Sequence, residues 1–163
     1  MNMLPDFWRT EIWHPLTVHL PLASLLLAAV LYISGLLSKK KIFSDTGFIL
    51  LLAGTLGAWI AVYTGNLADG VVARKICDPT MLKDHENGAK LLTWIFTGAS
   101  LLLIFEHAGF NRKIRKILMV ISIILVLTGT GILLRTGHLG AQLVYQQAAG
   151  VYTPSVDCGE FTE

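Results

Sequence analysis

The chain has 163 residues, of which 53 % are hydrophobic and 15 % are charged, and its mean hydropathy is +0.60. A soluble domain of this size carries more charge, so the composition excludes that class and predicts an integral membrane protein. The net charge of +2 gives no reason to expect a nucleic-acid partner, because the basic residues lie where membrane topology requires them.

Four apolar segments are each close to the ~20 residues that cross a bilayer. They cover approximately residues 15–37, 46–68, 89–107 and 117–136, and a polar extramembrane tail follows from 150 to 163. Short loops between them favour antiparallel neighbours. The sequence therefore predicts a single domain, residues 1–163, with an all-α fold: an integral membrane antiparallel four-helix bundle in contact with lipid.

Basic residues are distributed unevenly between the two sides of this bundle. Seven of the thirteen lie in the two short loops at residues 39–41 and 112–116. The positive-inside rule places these loops in the cytoplasm. Both termini and the loop at residues 69–88 then lie on the periplasmic side of a bacterial inner membrane, which we call side A. No cleavable signal is expected, since the first thirteen residues include Asp6, Arg9 and Glu11.

The first span opens with the motif His-Pro-Leu-Thr-Val-His-Leu-Pro at residues 14–21. Pro15 suits the first position of a helix, which places His14 at the cap and His19 one turn inside. A histidine within a membrane helix is costly unless it has a partner or a function.

The second span carries a stripe of small residues, Gly57, Ala61 and Gly65, at four-residue spacing. Close helix packing is the preferred interpretation, and a flat cofactor against the stripe is the alternative. Before span three, Asp84 is expected to cap the helix, with His85 in its first turn. After span four, the helix either continues past the membrane or restarts after Gly137.

Four of the five histidines lie at side A: His14, His19, His85 and His138. Helices of a four-span bundle are close enough for side chains at one depth to meet, so this clustering predicts a site. Interfacial or capping roles for the same residues are the alternative.

A b-type haem requires two axial imidazoles, an apolar wall and cations near its propionates. By depth, His19 and His138 are the preferred axial pair, with His85 and His14 as second choices or neighbouring donors. Arg135 lies three residues before His138 on nearly the same face and is a candidate propionate partner. Further candidates at the same interface are Arg9, Arg74 and Trp13. Attachment would be non-covalent, because the chain has no Cys-x-x-Cys-His motif. A bare zinc or copper ion bound by the same histidines, with Asp69, Asp84 or Glu86, is the competing chemistry.

These residues also carry a resemblance to a known family. The chain resembles the bacterial family called domain of unknown function 2231, predicted multi-span membrane proteins. Their pattern opens with His-Pro-x-x-Val-His-x-Pro, here residues 14–21, and closes with Gly-His-x-Gly-x-x-Leu-Val-Tyr, here residues 137–145. Gly57-Ala58-Trp59, Thr64-Gly65 and His85-Glu86 fit between them, whereas residues 146–151 depart from the usual glycine-rich continuation. The resemblance covers about residues 13–151, and it implies a component found beside cytochrome domains and membrane redox systems.

We therefore expect a haem-binding or electron-transfer subunit with its site at the periplasmic side and a membrane or periplasmic redox protein as partner. A non-catalytic assembly subunit of a larger membrane redox complex, or a zinc or copper site, are the alternatives. No catalytic residue is assigned, because the chain shows no nucleophile triad, phosphate loop or paired carboxylate at depth. An accessory or electron-transfer role is thus favoured over a free-standing enzyme, although enzymatic activity is left open.

The two cysteines, Cys77 and Cys158, both fall on side A. An oxidising compartment makes a disulfide between them the expected state. Two unrelated thiols, or a pair recruited to a metal, are the alternatives.

Overall fold

The computed structural model describes residues 8–107, 111–154 and 156, and this part of the chain is helical with no strand. Its helices are α1 (Thr10–Ser38), α2 (Lys41–Val72), α3 (Pro79–His107) and α4 (Arg112–Gln147). All four are long and apolar enough to cross a membrane. The predicted all-α, four-helix membrane fold is confirmed.

The helices pack as two hairpins, α1 with α2 and α3 with α4. In the first hairpin, Lys39 adopts a left-handed conformation with φ of 57°, and α2 begins two residues later. Small residues then allow the two backbones to approach each other. A Cβ atom on Gly47 would lie 2.6 Å from the backbone nitrogen of Tyr32, so only glycine fits there.

The core lies along the axis of the bundle and receives side chains from every helix. Its largest fully buried apolar members are Leu25, Leu51, Phe96, Leu103 and Val126. Between the hairpins, hydroxyl and indole groups add polar contacts. The Thr55 and Ser100 hydroxyls lie 3.0 Å apart, and the Trp59 indole N–H donates to the Thr97 hydroxyl oxygen. In lipid, such contacts strengthen helix association because no water competes for them.

The start of α3 differs from the sequence prediction. The helix begins at Pro79, so the prediction that Asp84 caps it is wrong. Asp78 takes that place, because its carboxylate accepts hydrogen bonds from the backbone N–H and the hydroxyl of Thr80. These two bonds hold the pKa of Asp78 below its ordinary value. His85 consequently lies in the second turn of α3, within the helix.

The sequence left open whether the fourth helix continues past the membrane or restarts after Gly137. The helix runs through Gly137 without a break and ends at Gln147. The Gln147 amide oxygen accepts from the backbone N–H of Asp78, which ties this end of α4 to the start of α3. A small apolar cluster covers the same end of the bundle; its buried members are Ala68, Val72, Ile76 and Leu143.

The packing of α1 on α2 predicts how a glycine-to-alanine substitution on α2 changes the stability of the protein. Gly47→Ala should destabilise the protein by about 1–3 kcal/mol, because the new Cβ atom would meet the α1 backbone. Gly70→Ala, on the same helix, meets no atom within 4 Å and should be neutral or slightly stabilising through helix propensity. Thermal unfolding of the purified variants in one detergent measures both, and equal melting temperatures would contradict the packing described here.

Candidate functional site

A cavity of about 420 Å³ opens between the two hairpins at the side A end of the bundle. All four helices contribute to its walls, which are mainly apolar. The apolar lining includes Val18, Leu22, Val62, Leu82, Leu133 and Val144. The volume falls within the range of cavities that bind small molecules and cofactors.

The prediction that His14 caps the first helix is wrong, because α1 begins at Thr10. His14 enters the cavity from the second turn of α1, and α2 fixes its ring. Its ring Nδ1 lies 2.9 Å from the backbone carbonyl oxygen of Ala61. Because a carbonyl can only accept, Nδ1 carries the proton and donates. The ring rests on Gly65, where a Cβ atom would lie 3.2 Å from His14 Nδ1. In an α-helix the carbonyl of one residue points toward the fourth residue ahead, so glycine at that position leaves room for the ring to reach Ala61.

His85 enters from α3 and is fixed by α4 through the same type of contact. Its Nδ1 lies 2.9 Å from the backbone carbonyl oxygen of Thr136 and donates to it. The ring rests on Gly140, where a Cβ atom would lie 3.0 Å from His85 Cε1. Gly140 again lies four residues beyond the acceptor carbonyl. Both rings are partly buried.

The two imidazoles lie close to each other in the cavity. Their ring centroids are 6.0 Å apart, with an angle of 83° between the ring planes. In each ring the proton on Nδ1 leaves Nε2 as the nitrogen with a free lone pair, and within the described part of the chain neither Nε2 forms a hydrogen bond. Two imidazoles bound to opposite sides of one metal, each through a bond of about 2 Å, have ring centres about 6 Å apart. The observed centroid separation is close to that value.

The structure does not bring together the pair that the sequence ranked first. His19 lines the cavity but its side chain is exposed, and His138 is exposed on α4 outside the cavity lining. Arg135 lies in a separate groove of about 210 Å³ between α3 and α4, which also contains Asp84. The two second choices, His14 and His85, are the ones that meet.

Charged side chains lie beside the cavity at its side A end. The Glu11 carboxylate is buried, and it lies 3.3 Å from the Arg9 guanidinium and 3.7 Å from the Lys75 ammonium. Glu86, also in the lining, forms ion pairs with Lys83 and Lys90. Within the described residues, Arg9 Nε is a buried donor without a hydrogen-bond partner.

The donor set of the cavity can be compared with the ligand numbers that zinc sites require. Among the described residues, no three histidine, cysteine, aspartate or glutamate side chains are arranged to hold an ion. A structural zinc site requires four protein ligands and a catalytic one three. Two imidazoles are fewer protein ligands than either kind of zinc site requires, whereas iron in a porphyrin has its own equatorial ligands.

Cys77, in the loop between α2 and α3, is an exposed free thiol in the structure. Cys158 lies outside the described residues, so the predicted disulfide between the two cysteines stays a prediction.

A helical membrane bundle with a histidine pair between its hairpins is therefore the class that fold and site define. A family model described as predicted membrane protein, domain of unknown function 2231 (DUF2231), matches residues 12–153. The chain belongs to this family, as its end motifs indicated. Neither the curated proteins nor the solved structures contain a match.

Proposed function

We propose that the protein is a membrane-embedded, b-type haem-binding subunit for electron transfer, with His14 and His85 as the axial ligands. The observation that carries this proposal is the 6.0 Å separation of two imidazoles whose Nδ1 atoms are both held by backbone carbonyls. Metal-binding histidines characteristically donate their second ring N–H to such an acceptor, which fixes the tautomer and the ring orientation. This pair replaces His19 and His138, the pair preferred from sequence.

The surroundings fit a porphyrin better than a bare zinc or copper ion. A haem supplies four equatorial nitrogens and reversible one-electron chemistry, so the protein has to supply only two axial donors and an apolar wall. The cavity offers both, and Gly65 and Gly140 keep the histidine rings close to the helices that hold them. The residues of this chain bind and orient the cofactor and exclude water from it.

The cations beside Glu11 are suited to hold the haem carboxylates. Arg9 and Lys75 converge on that buried carboxylate next to the cavity, and Arg9 retains a buried donor with no partner in the described structure. Arg guanidinium groups bind carboxylates through paired N–H donors. We therefore assign the propionate contacts to Arg9 and Lys75, in place of Arg135, which lies in the groove between α3 and α4.

The position of the site supports electron exchange at side A. His14 is the fifth residue of α1 and His85 the seventh of α3, so both lie within about 10 Å of a helix end at 1.5 Å per residue. A redox protein in the membrane or on its periplasmic side would be the partner. The basic loops at residues 39–41 and 112–116 support an inner-membrane location with side A facing the periplasm.

The first prediction from this proposal concerns the absorption spectrum of the detergent-purified protein. The wild type should show the Soret band of a low-spin haem, with one iron per chain. His14→Ala and His85→Ala should each abolish the low-spin spectrum, because each removes one axial donor. His138→Ala is the matched control, since its exposed ring lies outside the cavity, and its spectrum should be unchanged.

Three other outcomes would contradict the assignment. Loss of the low-spin spectrum in His138→Ala, but not in His14→Ala, would restore the pair preferred from sequence. A stoichiometric zinc or copper content without a Soret band would favour the bare-metal site. A wild type with neither haem nor bound metal would leave the assembly-subunit hypothesis.

The second prediction concerns orientation in the membrane. Cys77 is exposed in the α2–α3 loop, so in a Cys158→Ser variant a membrane-impermeant maleimide should label it in intact spheroplasts. A cysteine introduced as Ser38→Cys in a cysteine-free chain should be labelled only after permeabilisation, because it adjoins the basic loop. The reverse pattern would invert the assignment of side A.

The third prediction concerns the two native cysteines. In an oxidising periplasm, Cys77 and Cys158 should form a disulfide, which would hold the C-terminal tail over the end of the bundle that contains the histidines. Peptide mapping by non-reducing mass spectrometry, after thiol blocking, detects the bridge directly. Two blocked free thiols would refute it.

A further inference from the structure

We infer that the chain consists of two equivalent helical hairpins and that the histidine site lies on the local two-fold axis relating them. The equivalence is seen in the packing described above and does not depend on any ligand. What this equivalence of the hairpins implies about the ligand rests on the proposed function. Such a site takes a ligand that offers the same coordination position on two opposite faces.

The first evidence is that each hairpin builds the same half-site. The first uses His14, the Ala61 carbonyl and Gly65, and the second uses His85, the Thr136 carbonyl and Gly140. In both, a histidine near the start of the first helix donates through Nδ1 to the second helix. In both, the glycine that makes room for the ring lies four residues after the acceptor.

The second evidence is the register of the core below the histidines. Leu25 follows His14 by eleven residues and packs on Gly54, which precedes Gly65 by eleven. Phe96 follows His85 by eleven residues and packs on Gly129, which precedes Gly140 by eleven. Eleven residues are close to three helical turns, so each pair continues the face that carries the histidine. Both large side chains are fully buried.

The third line of evidence is the spacing of the buried residues along α4. Its buried residues are Ser122, Val126, Gly129, Leu133, Thr136 and Leu143. Each lies 75 positions after a buried residue of α2; these are Gly47, Leu51, Gly54, Ala58, Ala61 and Ala68. A shift of 71 positions likewise relates buried residues of α1 to buried residues of α3, for example Leu25 to Phe96 and Ala28 to Ala99. Helical periodicity alone could produce this match between the buried faces of the two hairpins. The two histidine contacts, however, give the same shifts of 71 and 75 positions independently of burial.

This equivalence locates the axis. When two equivalent units pair about a two-fold axis, residue i of one contacts residue j of the other and the reverse, and a residue contacts its own equivalent where it lies next to the axis. His14 and His85 are equivalent and contact each other, so the axis passes between their rings. A metal at the centre of a planar macrocycle meets this requirement, because its two axial positions are alike.

The experiment reads the two half-sites separately in the cofactor-free protein. In a chain with the substitutions His19→Gln, His107→Gln and His138→Gln, ¹⁵N NMR of labelled histidine observes only His14 and His85. Both should be the tautomer protonated at Nδ1, the minor form of free histidine. Gly65→Val should abolish this state for one histidine and Gly140→Val for the other, because each new side chain displaces one ring.

Matched controls exist on both helices. Gly70→Val on α2 and Gly131→Val on α4 add the same side chain where no atom lies within 4 Å, and both should leave the two signals unchanged. If a valine variant fails to fold, the alanine variant at the same position gives a smaller shift of the same signal. With haem b added as the probe, the two site variants should weaken binding equally, by about tenfold or more.

The outcomes separate this inference from the proposed function. Two Nδ1-protonated histidines that respond to their own glycines, without haem binding, would retain the duplicated half-sites and refute the haem proposal. Haem binding with only one histidine in that tautomer would refute the equivalence. Site variants that behave like the two controls would also refute it.

Discussion

The histidine site depends on one kind of interaction, the hydrogen bond from an imidazole Nδ1 to a backbone carbonyl of the neighbouring helix. It occurs twice, from His14 to Ala61 and from His85 to Thr136, both at 2.9 Å. In a membrane a partly buried imidazole without a partner is costly, and this bond satisfies one nitrogen while leaving the other available. The rings are therefore oriented by the backbone, whose position is set by the packing of whole helices.

The membrane fold was predictable because it depends on composition averaged over long segments. Four apolar runs, the basic loops and the two end motifs were sufficient for fold class and family, and both were confirmed. Helix ends were less predictable. Lys83, Asp84 and Glu86 make the first turns of α3 polar, so the apolar run starts at residue 89 although the helix starts at Pro79. That error placed His85 in the first turn of α3, whereas it lies in the second.

To choose the histidines that meet, one has to know on which side of its helix each of them lies. Their depth in the membrane does not give this. Successive residues of an α-helix are rotated by about 100°, so His138 lies about 200° from both Thr136 and Gly140, on the opposite side of α4. Since Thr136 and Gly140 contact His85, His138 is directed away from the cavity. One signal in the sequence could have located the pair: glycines at positions 65 and 140, each of which allows a ring to approach a carbonyl.

The small-residue stripe of α2 shows that packing and site formation use the same residues. Packing was the interpretation preferred from the sequence, with a cofactor surface as the alternative. In the structure Gly57 adjoins Pro21 and Gly65 adjoins the ring of His14, while Ala61 and Gly65 also line the cavity. The glycines that bring α1 close to α2 thereby bring His14 within reach of the Ala61 carbonyl. Gly129 and Gly140 do the same for α3 on α4, where they adjoin Phe96 and His85. A substitution that separates either helix pair would consequently also remove the orientation of one histidine, so stability and ligand binding should be coupled at these positions and independent at Gly70 and Gly131.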